Sequence, residues 1–191
     1  MLTTLIDVIA QSVSLEEQDI ELCRTYFEPI SLVKNSVVEH QHKTPKYLYF
    51  IGSGYMRLFY LDESGDEVTT NLSSPRSFIT PFLSFIHEVA AQESVECVTD
   101  CEVLRISKPD LAYLISQSSS FQAFSLLIFE QAIAATEKRA NELATLRAED
   151  RYQTLLDNRP SILQHVPIRH IASYLGIKPE SLSRIRRNLT N

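Results

Sequence analysis

The middle of the chain consists of short runs rich in β-branched and aromatic residues, separated by turn-forming residues, a pattern that predicts β-strands. Seven runs fit this pattern, at residues 30–33, 37–39, 47–51, 55–61, 67–72, 94–98 and 102–106. Turn-forming sequences separate them, such as Gly52-Ser53-Gly54 and the segment around Gly65. Strands with this regular spacing and these tight turns predict an antiparallel β-roll, a jelly-roll-like barrel within an α+β fold.

Helical patterns flank the strands on both sides. Residues up to Tyr26 predict a helix, and Ser14 followed by Glu17 is the signature of a capping box. After the strands, Ser107 opens a short helix that runs to about residue 115. Residues 121–146 contain neither Gly nor Pro and are rich in Ala, Leu, Glu and Gln, which predicts a long helix.

Alternating three- and four-residue spacings along the long helix predict a seam that pairs it with a second copy of the chain. The seam consists of Phe124, Leu127, Ile128, Gln131, Ala135 and Glu142. The alternative is that the same stripe packs against the chain's own β-roll, since such seams serve both purposes. The predicted division is a β-roll domain over 1–120, a dimerisation helix over 121–147 and a C-terminal domain over 148–191.

The last two dozen residues predict two short helices joined by a tight turn. The first helix, opened by Pro167, has one apolar stripe made of Ile168, Ile171, Ala172 and Leu175. Gly176 gives the backbone the freedom to leave this helix. Pro179 suits the first turn of a second helix, which runs to about residue 189. This is the pattern of a helix-turn-helix, a motif that binds double-stranded DNA.

The spacing of residues along the second helix predicts a charged face opposite an apolar one. Arg184 can donate two hydrogen bonds to guanine O6 and N7, and Glu180 can accept one from cytosine N4. The expected base contacts come from Glu180, Ser181, Ser183 and Arg184, and the expected phosphate contacts from Arg169, Arg186 and Arg187. The alternative is a small helical hairpin with a solvated charged edge.

The charge of the chain is unevenly distributed. The net charge is −6, which by itself argues against a nucleic-acid-binding protein. Residues 146–191, however, hold eight Lys and Arg against four Asp and Glu, while the remaining residues hold ten against twenty. This asymmetry indicates one end that faces a polyanion and an acidic body that resists non-specific binding.

Cys23, Cys97 and Cys101 fit no disulfide framework, so a reducing cytoplasm is expected. Two thiols do not complete a zinc site, and buried apolar positions are the expected role of these side chains. The N-terminus lacks the basic start and long apolar core of a signal peptide, and no apolar run reaches membrane-spanning length. We therefore expect a cytoplasmic protein with no membrane association.

The order of these elements resembles the Crp/Fnr family of bacterial transcription regulators over essentially the whole chain. The resemblance depends on the glycine turns of the β-roll, the segment 95–104, and the runs 151–156 and 171–177. It implies a cyclic-nucleotide-binding-like domain and a homodimer whose second motif helix enters the major groove of a near-palindromic site. RNA polymerase is a further candidate partner.

The segment expected to bind an effector departs from the cyclic-AMP-binding members of that family. Those members carry a Gly-Glu pair and an Arg-Ser pair in a phosphate cassette, but here Ala91 and Gln92 stand in the register of the Arg-Ser pair. Because a buried phosphate needs a cation or clustered N–H donors, cyclic AMP is not expected to bind in the usual mode. An apolar effector pocket could instead be lined by Phe78, Phe82 and Phe85, with Arg76 close by; the favoured alternative is that the three rings fill the space that an absent ligand leaves.

No cofactor is expected. An iron–sulfur centre needs about four thiolates, more than the chain has near its N-terminus. Haem is an alternative because His40, His42 or His87 could be an axial ligand, although a lone His is usually a surface residue.

Two other functions remain as alternatives. His40 and His42 would share one strand face, as in a cupin-type metal enzyme, but the expected carboxylate a few residues later is missing. The other alternative is a regulator-like dimer that no longer binds DNA. We expect a protein that is not an enzyme.

Overall fold

The computed structural model describes residues 1–190, with side chains over 1–188. The first half contains α1 (Leu2–Ala10), α2 (Glu17–Tyr26), β1 (Glu28–Leu32), β2 (Val37–Glu39), β3 (Tyr47–Ser53), β4 (Met56–Leu61), β5 (Glu67–Ser73) and β6 (Phe78–Ile79). The segment α3 (Phe82–His87), β7 (Ser94–Cys97), β8 (Cys101–Ser107), α4 (Lys108–Gln117) and α5 (Ser119–Thr145) follows. The last elements are α6 (Ala148–Asn158), α7 (Pro160–His165), α8 (Ile168–Tyr174) and α9 (Pro179–Thr190).

The described strands form two antiparallel four-stranded sheets, in the orders β1-β8-β3-β6 and β2-β7-β4-β5. Apolar side chains from both sheets, such as Ile51 and Val103 from the first and Met56 and Val95 from the second, meet in one core between them. The predicted α+β fold with an antiparallel roll is confirmed, although the strands form two facing sheets rather than one closed barrel. The seven predicted strands are present, with ends that differ by no more than two residues.

The N-terminal helix differs from its prediction. The chain leaves α1 after Ala10 and begins α2 at Glu17, so there are two helices rather than one. The predicted Ser14–Glu17 capping box is wrong, because the capping box pairs Glu16 with Asp19. The Glu16 backbone N–H donates to the Asp19 carboxylate at 2.9 Å. Ser14 instead accepts a hydrogen bond at its backbone carbonyl from Ser120 Oγ, at 2.7 Å, which ties the N-terminus to α5.

Helix α5 lies against the β-roll of its own chain. Phe124 is 6% exposed and meets Phe78 edge-on, with 5.7 Å between ring centroids, and Ile128 packs against the same apolar cluster. Phe124 and Ile128 thus make the contact with the chain's own β-roll that the sequence left as the alternative, and their pairing with a second copy stays a prediction. The three- and four-residue spacing along α5 predicts an apolar stripe, but it does not specify which surface that stripe packs against.

Helix α5 also carries exposed apolar side chains, on a face turned away from Phe124 and Ile128. Leu126 and Ile133 are 59% and 55% exposed, and a separation of seven residues places them on one face. Of the other predicted seam residues, Leu127 and Glu142 are half-buried, while Gln131 and Ala135 are exposed. Gln131, Ala135 and Glu142 line a cleft between α5 and the rest of the chain, and the exposed Ile133 lies at the same cleft.

Helices α6 and α7 were not predicted from the sequence, and they join the helix-turn-helix in a second apolar core. A break in the helical chain falls between Thr145 and Ala148, where the sequence predicted a domain joint. The apolar core crosses that joint, because Tyr55, Leu72 and Val98 of the β-roll belong to the same cluster as the C-terminal helices. The C-terminal domain is therefore docked on the β-roll.

Candidate nucleic-acid interface

Helices α8 and α9 form the predicted helix-turn-helix. Gly176 has φ +66°, the left-handed conformation that glycine adopts without a steric penalty, and this ends α8. The Ile177 N–H donates back to the Ala172 carbonyl at 3.0 Å, which closes the turn. Ala172 and Leu182 are fully buried and Ile185 is 4% exposed, so the two helices pack through these side chains. Ile168, predicted to share the apolar stripe, is exposed.

The charged side of α9 faces away from α8. The predicted base-reading residues Glu180, Ser183 and Arg184 are exposed, and Ser181 is half-buried. The Ser183 hydroxyl donates to the Pro179 carbonyl at 3.0 Å, so a base contact would compete with a bond inside the helix.

The predicted phosphate contacts also lie at the surface. Arg186 and Arg187 are exposed on α9, next to the base-reading residues in sequence. Arg169 is exposed on α8, and its Nε donates to Nε2 of His170 at 3.2 Å. The structure thus places the three predicted phosphate-binding arginines at the surface of the two motif helices.

Helix α8 rests on β5, the outermost strand of its sheet. The Thr69 N–H donates to Ser173 Oγ at 2.8 Å, and Ser173 Oγ donates to the Glu67 carbonyl at 3.2 Å. Two arginines bond other carbonyls of the strand, Arg139 Nη2 to Thr69 at 3.0 Å and Arg159 Nη1 to Leu72 at 2.8 Å. Side chains of the C-terminal domain thus complete the hydrogen bonding of an edge strand that would otherwise be open to pairing.

A buried cation lies beneath this contact. Arg57 of β4 is 1% exposed; its Nε bonds Glu96 and its Nη2 bonds Glu67, each at 2.5 Å. Arg57 Nη1 also donates to Thr69 Oγ1 at 3.1 Å, and its guanidinium carbon lies 4.2 Å from the centroid of the Phe59 ring. Sequence reasoning missed this network, because the three charged residues are far apart along the chain and periodicity does not pair them.

His170 of α8 is buried where α8 meets the β-roll, and we expect it to make the stability of the protein depend on pH. Burial, with Arg57 and Arg169 nearby, lowers the pKa of His170 from 6.5 to about 4, and Glu67 opposes this only in part. Because the folded protein holds the imidazole neutral, the unfolded chain binds the extra proton between about pH 6.5 and 4. Stability should therefore fall by roughly 1–3 kcal/mol as the pH decreases through that window.

Urea unfolding at pH 7, 6, 5 and 4 measures this effect. Carboxylates also titrate near the acidic end of this range, so the informative quantity is the difference between the wild type and His170→Gln. The variant should lose less stability on acidification than the wild type. Parallel pH profiles for the two proteins would contradict the assignment.

Comparison with known proteins identifies the architecture. Residues 29–118, from β1 into the segment after α4, match the model of the cyclic nucleotide-binding domain family. FixK2 from Bradyrhizobium japonicum superposes with a TM-score of 0.76 at 16% sequence identity, covering 86% of this chain and 84% of that chain. CLP from Xanthomonas campestris, a c-di-GMP-responsive global regulator, gives a TM-score of 0.69 at 21% identity, covering 92% of each chain.

The catabolite activator protein of Thermus thermophilus gives a TM-score of 0.59 at 21% identity, over 93% of this chain and 84% of that chain. A structure described as a putative transcriptional regulator of the Crp/Fnr family, from Eubacterium rectale, gives a TM-score of 0.69 at 15% identity, over 92% of this chain and 84% of that chain. The chain has the Crp/Fnr fold. No curated protein matches the sequence.

Part of the segment that the sequence predicts to bind an effector lines the cleft beside α5. Ala91, in the register of the cassette arginine, is fully buried, and Gln92 is exposed at the edge of the cleft. Phe78, Phe82 and Arg76 line that cleft, and their role in binding an effector stays a prediction. Phe85, also predicted to line it, is fully buried and does not. The ammonium of Lys108 lies over the Phe85 ring, 5.2 Å from its centroid.

The histidines do not form a metal site in the described part of the Crp/Fnr fold, where no group of three His, Cys, Asp or Glu side chains could hold a metal ion. The expectation that His40 and His42 share a strand face is wrong, because both are exposed in the turn after β2. The backbone of His42 has φ +65°, and its N–H donates to the Ala91 carbonyl at 2.7 Å. His87 is exposed at the end of α3.

The three cysteines are buried and unpaired. Burial raises the pKa of Cys23 to about 12, so this thiol stays protonated at neutral pH. None of the described helices combines the length and apolarity that crossing a bilayer requires.

Proposed function

We propose that this protein is a DNA-binding transcription regulator that reads duplex DNA with α9 and has no catalytic activity. The observation that carries the proposal is the exposed row of polar and cationic side chains on α9, opposite the buried Leu182 and Ile185. A helix held by its apolar face, with guanidinium groups outward, suits the width of the major groove. Regulators of this type share the fold and bind DNA as dimers.

The proposed dimer pairs the outer faces of two α5 helices. Leu126 and Ile133 would meet their counterparts across the axis, since two apolar side chains exposed on one helix face are poorly accounted for in a monomer. This contact lies on another face of α5 than Phe124 and Ile128 of the seam predicted from the sequence. Two copies of α9 would then lie about 34 Å apart, one turn of DNA, over a near-palindromic site.

Selection of bound fragments from a genomic DNA pool tests DNA binding and dimer geometry together. A recovered motif with two inverted half-sites about one helical turn apart is the expected result. Absence of any enrichment at low salt would contradict the proposal, because phosphate contacts are strongest there.

Arg184→Ala is expected to weaken binding to the selected site by about 1–3 kcal/mol and to relax the preference at one base pair. The physical reason is the loss of a bidentate contact to guanine. Fluorescence anisotropy with the selected duplex and with single-base variants measures both effects. If sequence preference survived intact, Arg184 would not be the reading residue.

Arg187→Ala is the matched comparison on the same helix. As a phosphate contact, it should weaken binding to all sequences alike and reduce the slope of log K against log salt by about one. The two variants differ only in which exposed guanidinium is removed, so folding defects common to both are controlled.

The signal that acts on the β-roll is proposed not to be cyclic AMP bound through the family cassette. In this chain the cassette arginine is replaced by the buried Ala91, whose methyl group cannot compensate a phosphate. CLP responds to c-di-GMP, which shows that proteins of this fold take signals other than cyclic AMP. Isothermal titration with cyclic AMP and cyclic GMP is the test, and micromolar binding lost on mutating Gln92 would contradict the proposal.

A further inference from the structure

Tyr174, the last residue of α8, is held by two arginines that lie outside the helix-turn-helix. Arg139 of α5 donates to the Tyr174 carbonyl at 3.2 Å, and Arg159, between α6 and α7, donates to the Tyr174 hydroxyl at 2.9 Å. Their guanidinium carbons lie 5.1 and 5.4 Å from the centroid of the tyrosine ring, within the range of cation–π attraction. The backbone, the ring and the hydroxyl of Tyr174 are therefore all engaged.

The same two guanidinium groups also bond the β-roll. Arg139 donates to the Thr69 carbonyl at 3.0 Å, and Arg159 donates to the Leu72 carbonyl at 2.8 Å. A guanidinium carries its N–H groups in a rigid plane, so one that bonds two acceptors holds them at a set separation. Tyr174 is thus joined to β5 through two such bridges.

Helix α5 also contacts the turn that follows Tyr174. A Cβ added at Gly176 would lie 2.9 Å from Leu143 Cδ2, so this leucine packs directly against the turn. Leu143 comes one helical turn after Arg139, and residues four apart share a face of a helix. One face of α5 therefore meets α8 at its last residue and again at the turn.

A third guanidinium joins the end of α5 to the same place. Arg151 donates to the Leu146 carbonyl, at the C-cap of α5, at 2.5 Å and to the Leu175 carbonyl, at the C-cap of α8, at 3.0 Å. Cations are favourable at this end of a helix, where the carbonyl groups lack partners within the helix. Helix α9 begins at Pro179, soon after this anchored end of α8.

We propose that Tyr174 is a positioning residue, which fixes the direction of α9 relative to α5 and so determines the spacing between half-sites that the dimer accepts. This inference rests on the proposed function, in which α5 lies at the dimer axis and α9 reads the duplex. One added base pair moves a half-site by about 3.4 Å along the duplex and rotates it by about 35°. Two reading helices that are held rigidly lose contacts on such a site, because they can no longer engage both halves at once.

Tyr174→Leu tests the inference, because it removes the ring and the hydroxyl that the guanidinium groups contact but keeps an apolar side chain in the C-terminal core. Fluorescence anisotropy compares three duplexes: the selected site, the same site with one base pair inserted between its halves, and a single half-site. The wild type should bind the inserted site at least about tenfold more weakly than the selected site. In Tyr174→Leu this difference should fall to about threefold or less, with the affinity for the single half-site within about twofold of the wild type.

Two further variants separate positioning from stability. Tyr174→Phe keeps the ring and loses only the hydroxyl bond to Arg159, so it should recover at least about fivefold discrimination between the two spacings. Tyr113→Leu makes the first change at a tyrosine of α4 that is 45% exposed, and it should discriminate as the wild type does. A role of Tyr174 in stability alone would weaken binding to the three duplexes by one common factor and leave their ratios unchanged.

A measurement without DNA tests the position of α9 directly. Nitroxide labels at Val33→Cys on the β-roll and Asn188→Cys on α9 occupy exposed positions, while the three native cysteines are at most 2% exposed and should not react. Double electron–electron resonance, with labelled chains diluted in unlabelled protein, then gives the distance between the two labels. The wild type should show one narrow distribution and Tyr174→Leu a clearly wider one.

The inference is overturned if Tyr174→Leu discriminates the two spacings as the wild type does, or if its distance distribution is as narrow. Equal binding of both spacings by the wild type would overturn it as well. A wild type that binds none of the duplexes, with labels that still broaden in Tyr174→Leu, would reject the proposed function while supporting the role of Tyr174 in holding α9. Failure of the two proposals is therefore distinguishable.

Discussion

Replacing Arg57 by Ala is expected to lower the free energy of unfolding by about 3–5 kcal/mol, the usual cost of removing one partner from a buried ion pair. The guanidinium is 1% exposed and bonds Glu67, Glu96 and Thr69. Without it, the carboxylate of Glu96, whose side chain is 12% exposed, keeps its charge in a poorly solvated place. The substitution also removes packing against the Phe59 ring.

Urea unfolding followed by circular dichroism measures this loss. Arg24→Ala is the control, because Arg24 also pairs with a glutamate but is 61% exposed, and exposed pairs contribute roughly 0–1 kcal/mol. A conservative second variant, Arg57→Met with Glu96→Gln, removes both charges and should recover part of the stability, since it leaves no unpaired buried charge. A loss below about 1 kcal/mol in Arg57→Ala would show that the network is not stabilising the fold.

The second large effect concerns the outer face of α5. Leu126→Glu with Ile133→Glu should produce a monomer and reduce affinity for a duplex with two half-sites by about 100- to 10,000-fold, because each half-site is then bound without the other. The fold should be retained, since both side chains are more than half exposed and neither is one of the buried core residues. The new carboxylates would instead face one another across the proposed dimer axis.

Analytical ultracentrifugation measures the oligomeric state, and fluorescence anisotropy measures DNA affinity. The control makes the same change at apolar residues that are exposed on the β-roll, Val33→Glu with Leu61→Glu, at 69% and 50% exposure. That variant should dimerise and bind DNA as the wild type does. A dimer that survived the α5 changes would place the interface on another surface.

The features readable from the sequence were those that local periodicity and turn chemistry control. Short runs rich in β-branched and aromatic residues located the strands, because the turn-forming residues between them mark where each strand ends. The helix-turn-helix could be predicted because Gly176 and Pro179 mark its turn. The buried Ala172 and Leu182 each belong to an apolar stripe at helical spacing, one in α8 and the other in α9. Its charged face was identified in the same way, since residues opposite a buried stripe are exposed.

What the sequence could not show is which surfaces meet. Phe124 and Ile128 belong to an apolar stripe, as predicted, and in this chain they pack on its own β-roll. The spacing of residues along a helix defines the stripe but does not specify which surface it contacts. Short elements such as β6, with two residues, are below the length at which a period can be recognised. The capping box is formed by Glu16 rather than Ser14, because α2 begins at Glu17 and Glu16 has the extended backbone of an N-cap.

By itself, then, the sequence determined the order of helices and strands, the helix-turn-helix and the outward charge of α9, because each depends on residues within a few positions of one another. Tertiary structure alone decided the docking of α8 on β5, the burial of Arg57 beside His170 and the convergence of Arg139 and Arg159 on Tyr174. These contacts join residues far apart in the chain, and their energies depend on distance and solvent exclusion, which no spacing along a sequence records.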